Sequence, residues 1–112
     1  MADALNYAQN FAGIELTTSN QDIFTLSAGV LRNLVVTISN KTGSAATFTL
    51  YLVPSGGSAG DDGTNLYTAY SVPANDFVEL SIPKMVANDK LVAAASANNA
   101  LEMFENDGVG RV

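Results

Sequence analysis

This sequence contains no histidine and no cysteine, so acid–base chemistry would depend on carboxylates, lysine or tyrosine. A Ser-His-Asp triad or a thiolate nucleophile therefore cannot be assembled from it. A pair of carboxylates, as in glycosidases, remains possible, with Glu79 in a predicted strand and Asp76 and Asp89 in predicted turns. Their spacing gives no reason to expect two of them on opposite sides of a sugar-sized cleft. We therefore predict that the protein is not an enzyme.

Asp61 and Asp62 lie in a glycine-rich segment, residues 55–65, that could hold a calcium ion. Calcium binds several oxygen ligands on a flexible loop, and Asn65 supplies one more. The alternating acidic residues and the distal glutamate of a calcium-binding loop are both missing. We therefore predict an exposed loop with no metal or cofactor, in which Asp61 and Asp62 are candidates for contacting a neighbouring subunit.

The surface of this protein is expected to be poor in charge. Charged residues make up 14% of the 112 residues and the net charge is −6, whereas soluble domains carry about 25% charged residues. The five cations are scattered singly: Arg32, Lys41, Lys84, Lys90 and Arg111. Clustered cations are what phosphate binding requires, so we expect no nucleic-acid partner. We also expect no membrane span and no secretory signal in residues 1–11.

Alternating apolar residues predict two long neighbouring strands. Apolar side chains occupy every second position from 34 to 38 and again from 48 to 52. The polar, glycine-containing residues 41–44 between them have the composition of a hairpin loop. The pattern predicts a β-hairpin over residues 31–53, with a bend or bulge near Asn33.

Shorter strands are predicted around this hairpin at intervals of roughly ten residues, each closed by turn residues. They cover residues 13–17, 23–26, 66–72 and 77–82. Residues 85–104 are ambiguous, since their many alanines also suit a helix. Asparagines interrupt this stretch at positions where a tight turn needs the left-handed conformation, so we favour two final strands, residues 90–95 and 100–105, over a helix. The tail, residues 107–112, is expected to be turn-like and then frayed or docked on a neighbour.

The predicted fold is all-β: a single antiparallel β-sandwich, jelly-roll-like, with about eight short strands in residues 12–112. Residues 1–11 form an N-terminal arm or one helical turn. Leu5, Tyr7 and Phe11 are the arm's apolar side chains and candidate contacts with a neighbouring subunit.

Aromatic residues fall into two groups by their position in the predicted strands. Three are expected in the core: Phe24, Phe48 and Phe77. Tyr51 lies on the opposite face of its strand from Phe48, and strict alternation places Tyr67 and Tyr70 on opposite faces of theirs. Such rings could form a carbohydrate platform or a subunit interface, and the interface is the commoner use in a chain with few charges. All three tyrosines are candidate interface residues.

Four segments resemble a pattern found in small virion proteins of tailed bacteriophages. They are residues 33–40, a strand ending in Asn; 44–57, a Ser/Ala turn, a Thr/Leu-rich strand ending Val-Pro and a Gly-rich loop; 70–77, with a Pro-Ala-Asn turn; and 88–96, an Asn-Asp-Lys-Leu strand rich in alanine. The resemblance covers about residues 22–106. Asn88 departs from the pattern, which more often has Gly there, and Asn also accepts a positive φ.

The resemblance implies a structural virion protein and transfers no catalytic residue. It implies a capsid decoration or cement protein, made in the bacterial host cytoplasm, that binds the major capsid protein on the surface of the virion and self-associates as a homotrimer. The arm, residues 1–11, and the loop, residues 55–65, would reach neighbouring subunits. One alternative is a head-fibre or adhesin module that binds host glycan through Tyr67, Tyr70 or the loop, residues 55–65. Another is a structural β-sandwich module at the tail or at the connector between head and tail.

Overall fold

A computed structural model describes residues 11–111 of the chain, with side chains described for residues 11–106. The described residues contain nine strands and no helix. The strands are β1 (Ile14–Glu15), β2 (Gln21–Thr25), β3 (Val30–Asn40), β4 (Ala46–Val53), β5 (Asn65–Val72), β6 (Phe77–Ile82), β7 (Met85–Val86), β8 (Lys90–Ala95) and β9 (Leu101–Arg111).

These strands form two antiparallel sheets. Sheet I has the order β1-β9-β3-β6, with β7 also paired to β3, and sheet II has the order β2-β8-β4-β5. The strands pair as nested partners, β1 with β9, β2 with β8, β3 with β6 and β4 with β5. Apart from the two-residue β7, these strands form two four-stranded sheets connected as in a jelly roll. The predicted all-β sandwich is confirmed.

The core lies between the two sheets and is filled from both. The largest fully buried side chains are Phe48, Leu16, Leu31, Leu34, Ile38, Leu50, Met85, Leu91, Leu101 and Met103. Burial alternates from Leu34 to Asn40 in β3 and from Ala46 to Leu50 in β4, as the sequence pattern predicts, with Val36 and Leu50 both fully buried. Apolar burial on this scale is the main stabilising contribution to the fold.

The predicted hairpin of residues 31–53 is wrong, although both of its strands exist. β3 belongs to sheet I and β4 to sheet II. β9 occupies one edge of β3 and β6 and β7 occupy the other, so β4 has no free edge of β3 to pair with. The connection crosses from one sheet to the other, since alternation determines which side chains face the core but not which strands are neighbours.

Buried Asn40 shapes this crossing. Its side-chain amide donates to the carbonyls of Ser44 at 2.8 Å and Val72 at 3.1 Å, the latter at the end of β5 in sheet II. Its side-chain oxygen accepts from the backbone N–H and the hydroxyl of Thr42, at 2.9 and 2.8 Å. Asn40 therefore satisfies its own polar atoms and links the two sheets.

Asparagines take the left-handed backbone conformation at the places where the sequence predicts irregularity. Asn33 has φ 57° beside a register shift in the β3–β9 ladder, as the predicted bulge requires. Asn88 has φ 71°, in the turn before β8.

The two final strands are confirmed as β8 and β9. The predicted turn-like tail is wrong through residue 111, because β9 continues to Arg111 and pairs with the start of β3.

The phenylalanine predictions differ in outcome. Phe48 is 1% exposed and confirmed as core, and Phe24 is half-buried against the core. Phe77 is 57% exposed, so its assignment to the core is wrong. In β6 the inward positions are those of Leu80 and Ile82, which places Phe77 on the outer side of sheet I. An apolar residue at a strand end does not by itself reveal which face it occupies.

Candidate interaction surfaces

Tyr67 and Tyr70 lie on the same side of β5 and not on opposite faces. Their rings meet edge to face, with centroids 5.7 Å apart. Ala69 between them has φ 47°, and its N–H donates to the Thr49 hydroxyl oxygen at 3.1 Å. The ladder with β4 shifts register here, pairing Phe48 with Tyr70 but Leu50 with Tyr67. This bulge reverses the alternation, so the prediction of opposite faces is wrong.

The two tyrosines close one open side of the sandwich. Tyr67, in sheet II, donates its hydroxyl hydrogen to the Ser81 carbonyl of sheet I at 2.9 Å. Tyr70 packs on Phe48 with ring centroids 5.4 Å apart and remains 41% exposed. The Tyr67 hydroxyl is therefore used within the domain, whereas part of the Tyr70 ring is available to a partner.

Tyr51 lies on the outer face of sheet II. It is half-buried and stands opposite Val92 of β8, which is only 2% exposed. Its neighbours along this face of β4 are Thr47 and Thr49, both half-buried. The centre of this face is thus made of small or uncharged side chains.

The loop of residues 55–64 is organised by hydrogen bonds within itself. The Asp61 carboxylate accepts from the backbone N–H of Ser58 at 2.9 Å, and the hydroxyl of buried Thr64 donates to the Asp61 carbonyl at 2.7 Å. Asp62 is exposed. Among the described residues no group of three or more acidic side chains is placed to hold a metal ion.

Phe11, at the end of the predicted arm, is part of the core. It is 7% exposed and stacks on Phe24 with centroids 5.6 Å apart. Its backbone N–H donates to the Glu105 carboxylate at 3.2 Å. Leu5 and Tyr7 lie outside the described residues. Phe11 is therefore a core residue and not a free contact of the arm.

The outer face of sheet I carries a depression that the sequence did not predict, which we name the acidic corner. It has a volume of about 400 Å³ and is lined by Gly13, Ile14, Glu15, Glu102 and Phe104. Phe104 is 40% exposed. Lys41 bonds both carboxylates, at 3.0 Å to Glu15 and 3.2 Å to Glu102, and these contacts, Glu15 first, raise the pKa of Lys41 above 10.5.

A second depression on this face, the basic corner, has a similar volume of about 390 Å³. It is lined by Arg32, Asn33, Val35, Ser81, Ile82, Pro83 and Lys84. Within the described part of the chain, ion pairs are made by Lys41 and by Lys90 with Asp22, and neither Arg32 nor Lys84 makes one. Strand register was needed to find both corners, because their residues are far apart in the sequence.

Comparison with known proteins adds no relative. No family model matches the sequence, and no curated protein is significantly similar to it. The described residues include no helix long and apolar enough to cross a membrane.

Proposed function

We propose that this protein is a structural virion protein, a capsid decoration or cement protein of a tailed bacteriophage. The observation that carries the proposal is the jelly-roll connectivity of the two sheets, an architecture that recurs in viral capsid domains. The segments that resemble phage virion proteins cover most of β3, all of β4 and β8, and the end of β5 with the turn that follows it. Its partners are the major capsid protein and further copies of itself, as a homotrimer.

The polar surfaces suit repeated weak contacts. At the acidic corner, Glu15 and Glu102 both bond Lys41, so part of their charge is compensated within the chain. The side-chain amide of Asn40 is likewise engaged within its own loop. Of the exposed aromatic rings, Phe77 and Phe104 lie on the outer face of sheet I and Tyr70 lies in sheet II. Many equivalent sites filled together on a particle give strong retention from contacts that are weak singly.

Copy number on purified virions tests this function. Quantitative mass spectrometry against the major capsid protein is expected to give on the order of hundreds of copies per particle, as decoration of repeated lattice sites requires. About a dozen copies or fewer would favour the connector, fibre or tail position instead. Absence of the protein from virions would overturn the virion function altogether.

Deleting residues 2–10 tests the arm. This deletion keeps Phe11, whose ring belongs to the core, and the melting temperature of the variant shows whether the sandwich remains intact. We expect occupancy to fall with an unchanged melting temperature. Full occupancy after deletion would remove the arm from the binding contact.

A glycan-binding module is the second candidate, favoured by the exposed ring of Tyr70. Aromatic faces are suitable platforms for sugar rings. A glycan array with purified protein distinguishes the two functions, with Tyr70→Ala as the variant that removes the ring and Tyr51→Ala as the control. Specific binding lost only in Tyr70→Ala would favour the module, and no binding on the array would favour the capsid protein.

A further inference from the structure

The acidic corner and the basic corner lie at different ends of the outer face of sheet I, with Glu79 between them opposite Thr37. Strand register places Glu15, Glu102, Ser39 and Phe77 in one row across four strands. The acidic corner therefore lies at the β1 edge of this row. Arg32 lies seven positions before Ser39 on β3, roughly 20 Å away at about 3.3 Å per residue.

The basic corner occupies the diagonally opposite end of the same face. Val35 and Ser81, which pair across β3 and β6, lie on its floor, and Lys84 follows β6 at the other edge of the sheet. The two corners have nearly equal volumes. The carboxylates of the acidic corner and the cations of the basic corner therefore provide opposite charges on the same face of one chain.

The acidic corner has the chemistry to bind a guanidinium or ammonium group. Glu15 and Glu102 carry two negative charges against the single positive charge of Lys41. Phe104 offers a partly exposed ring beside them, and an arginine both stacks on aromatic rings and forms paired hydrogen bonds with carboxylates. Arg32 and Lys84, the cations that line the basic corner, make no ion pair with another described side chain and could supply that group.

We propose that copies of this chain bind one another through this face, with the basic corner of one copy seated on the acidic corner of the next. The complementary charges steer the approach and exclude the wrong orientation. Phe104 and its flanking carboxylates receive Arg32, and Lys84 adds a second cation at the rim.

This contact deepens the self-association that is part of the proposed function, and it is measured on the isolated protein. A protein that is monomeric alone but still decorates particles would overturn only this contact. A protein that self-associates as described but is absent from virions would overturn only the virion function.

Charge exchange tests the contact by sedimentation velocity over a range of protein concentrations. Glu102→Lys and Arg32→Glu are each expected to raise the dissociation constant of self-association by at least about tenfold, since each brings like charges together. The variant with both changes is expected to return to within about threefold of the original protein, because the pair is restored with its charges exchanged. Association of the original protein is expected to weaken as salt concentration rises.

Asp62→Lys is the matched control, an exposed carboxylate reversed on a distant loop, and should leave association unchanged. Glu15→Lys combined with Arg32→Glu provides a second exchanged pair should Glu102→Lys unfold, which circular dichroism would detect. A monomeric original protein at millimolar concentration, single variants that associate normally, or an exchanged pair no better than its parents would each overturn the proposal.

Discussion

The Tyr67 hydroxyl donates a hydrogen bond of 2.9 Å to the backbone carbonyl of Ser81, joining β5 of sheet II to β6 of sheet I. This bond crosses an open side of the sandwich, where no strand ladder connects the two sheets. The bulge at Ala69 turns Tyr67 toward the interior and so makes the bond possible. A local irregularity in one strand thus stabilises the packing of one sheet on the other.

Removal of this hydroxyl tests its contribution. Tyr67→Phe is expected to lower the free energy of unfolding by about 1 kcal/mol, the net value of one hydrogen bond, while leaving the ring contacts intact. Urea denaturation measures the change. Tyr51→Phe is the control, since the hydroxyl of Tyr51 has no hydrogen-bond partner among the described residues. If both variants lost the same free energy of unfolding, the bond between Tyr67 and Ser81 would make no specific contribution to stability.

Asn40 is expected to be more costly to replace. Asn40→Ala removes two donors and one acceptor from a residue that is 2% exposed, and leaves the Val72 carbonyl buried without its partner. We expect a loss of about 2–4 kcal/mol of unfolding free energy, at the upper end for buried hydrogen bonds.

Asn40→Asp distinguishes the two halves of this side chain. The carboxylate still accepts from Thr42 but faces the carbonyls of Ser44 and Val72, to which Asn40 donates. Ionised Asp should therefore destabilise the fold, and protonation at low pH should recover part of the loss. Urea midpoints at pH 3 and pH 7, referred to the original protein, measure this recovery. If stability did not recover at pH 3, the Asn40 amide would not be the donor to these two carbonyls.

Lys41 makes stability depend on pH at the alkaline end. Its pKa is raised above 10.5, first by the hydrogen bond with Glu15 and then by that with Glu102. Because the folded protein holds this proton more tightly than the unfolded chain, the contribution is fully present below about pH 10.5 and is lost as the pH rises through the raised pKa.

Lys41→Met is expected to remove this part of the alkaline decline in melting temperature. Lys84→Met is the control, because Lys84 makes no ion pair with another described side chain and should leave the decline in place. The effect is small, since the cluster is exposed to solvent. An unchanged pH profile in Lys41→Met would show that the contacts with Glu15 and Glu102 do not persist in solution.

Gly13 is required by its contact with Phe104. A Cβ atom at position 13 would lie 2.6 Å from Cε1 of that ring. Gly13→Ala should lower the free energy of unfolding by about 1 kcal/mol, at the low end for overpacking because the half-exposed ring can move outward. In a Phe104→Ala background the same change should be neutral or slightly stabilising, since alanine restricts the unfolded chain.

Thermal unfolding of the four proteins in this cycle measures the coupling between positions 13 and 104. An equal cost of Gly13→Ala in both backgrounds would contradict the contact. A positive coupling would also confirm that the Phe104 ring borders the acidic corner in solution.

The aromatic residues separate what local pattern predicts from what it does not. Phe48 lies in the middle of a regular alternation, so its burial follows from period two alone. Tyr67 and Tyr70 flank Ala69, whose positive φ is unusual for a residue with a Cβ atom, and no sequence signal marks it. Phe77 is the first residue of its strand, and there a shift of the alternation by one position moves a side chain from the core to the surface.

The sequence by itself determined most strand positions, the lack of histidine and cysteine chemistry, and the asparagine turns, because alternation and backbone preference act between residues close together in the chain. It did not predict β7 or the extension of β9 to Arg111. Only the tertiary structure decided that β3 and β4 lie in different sheets. The same holds for the burial of Phe11 and for the two corners, where Glu15 meets Glu102 and Arg32 approaches Lys84. Those relationships depend on which strands pair along each edge. Pairing between segments far apart in the chain depends on all the strands of the sandwich together, and local sequence does not specify it.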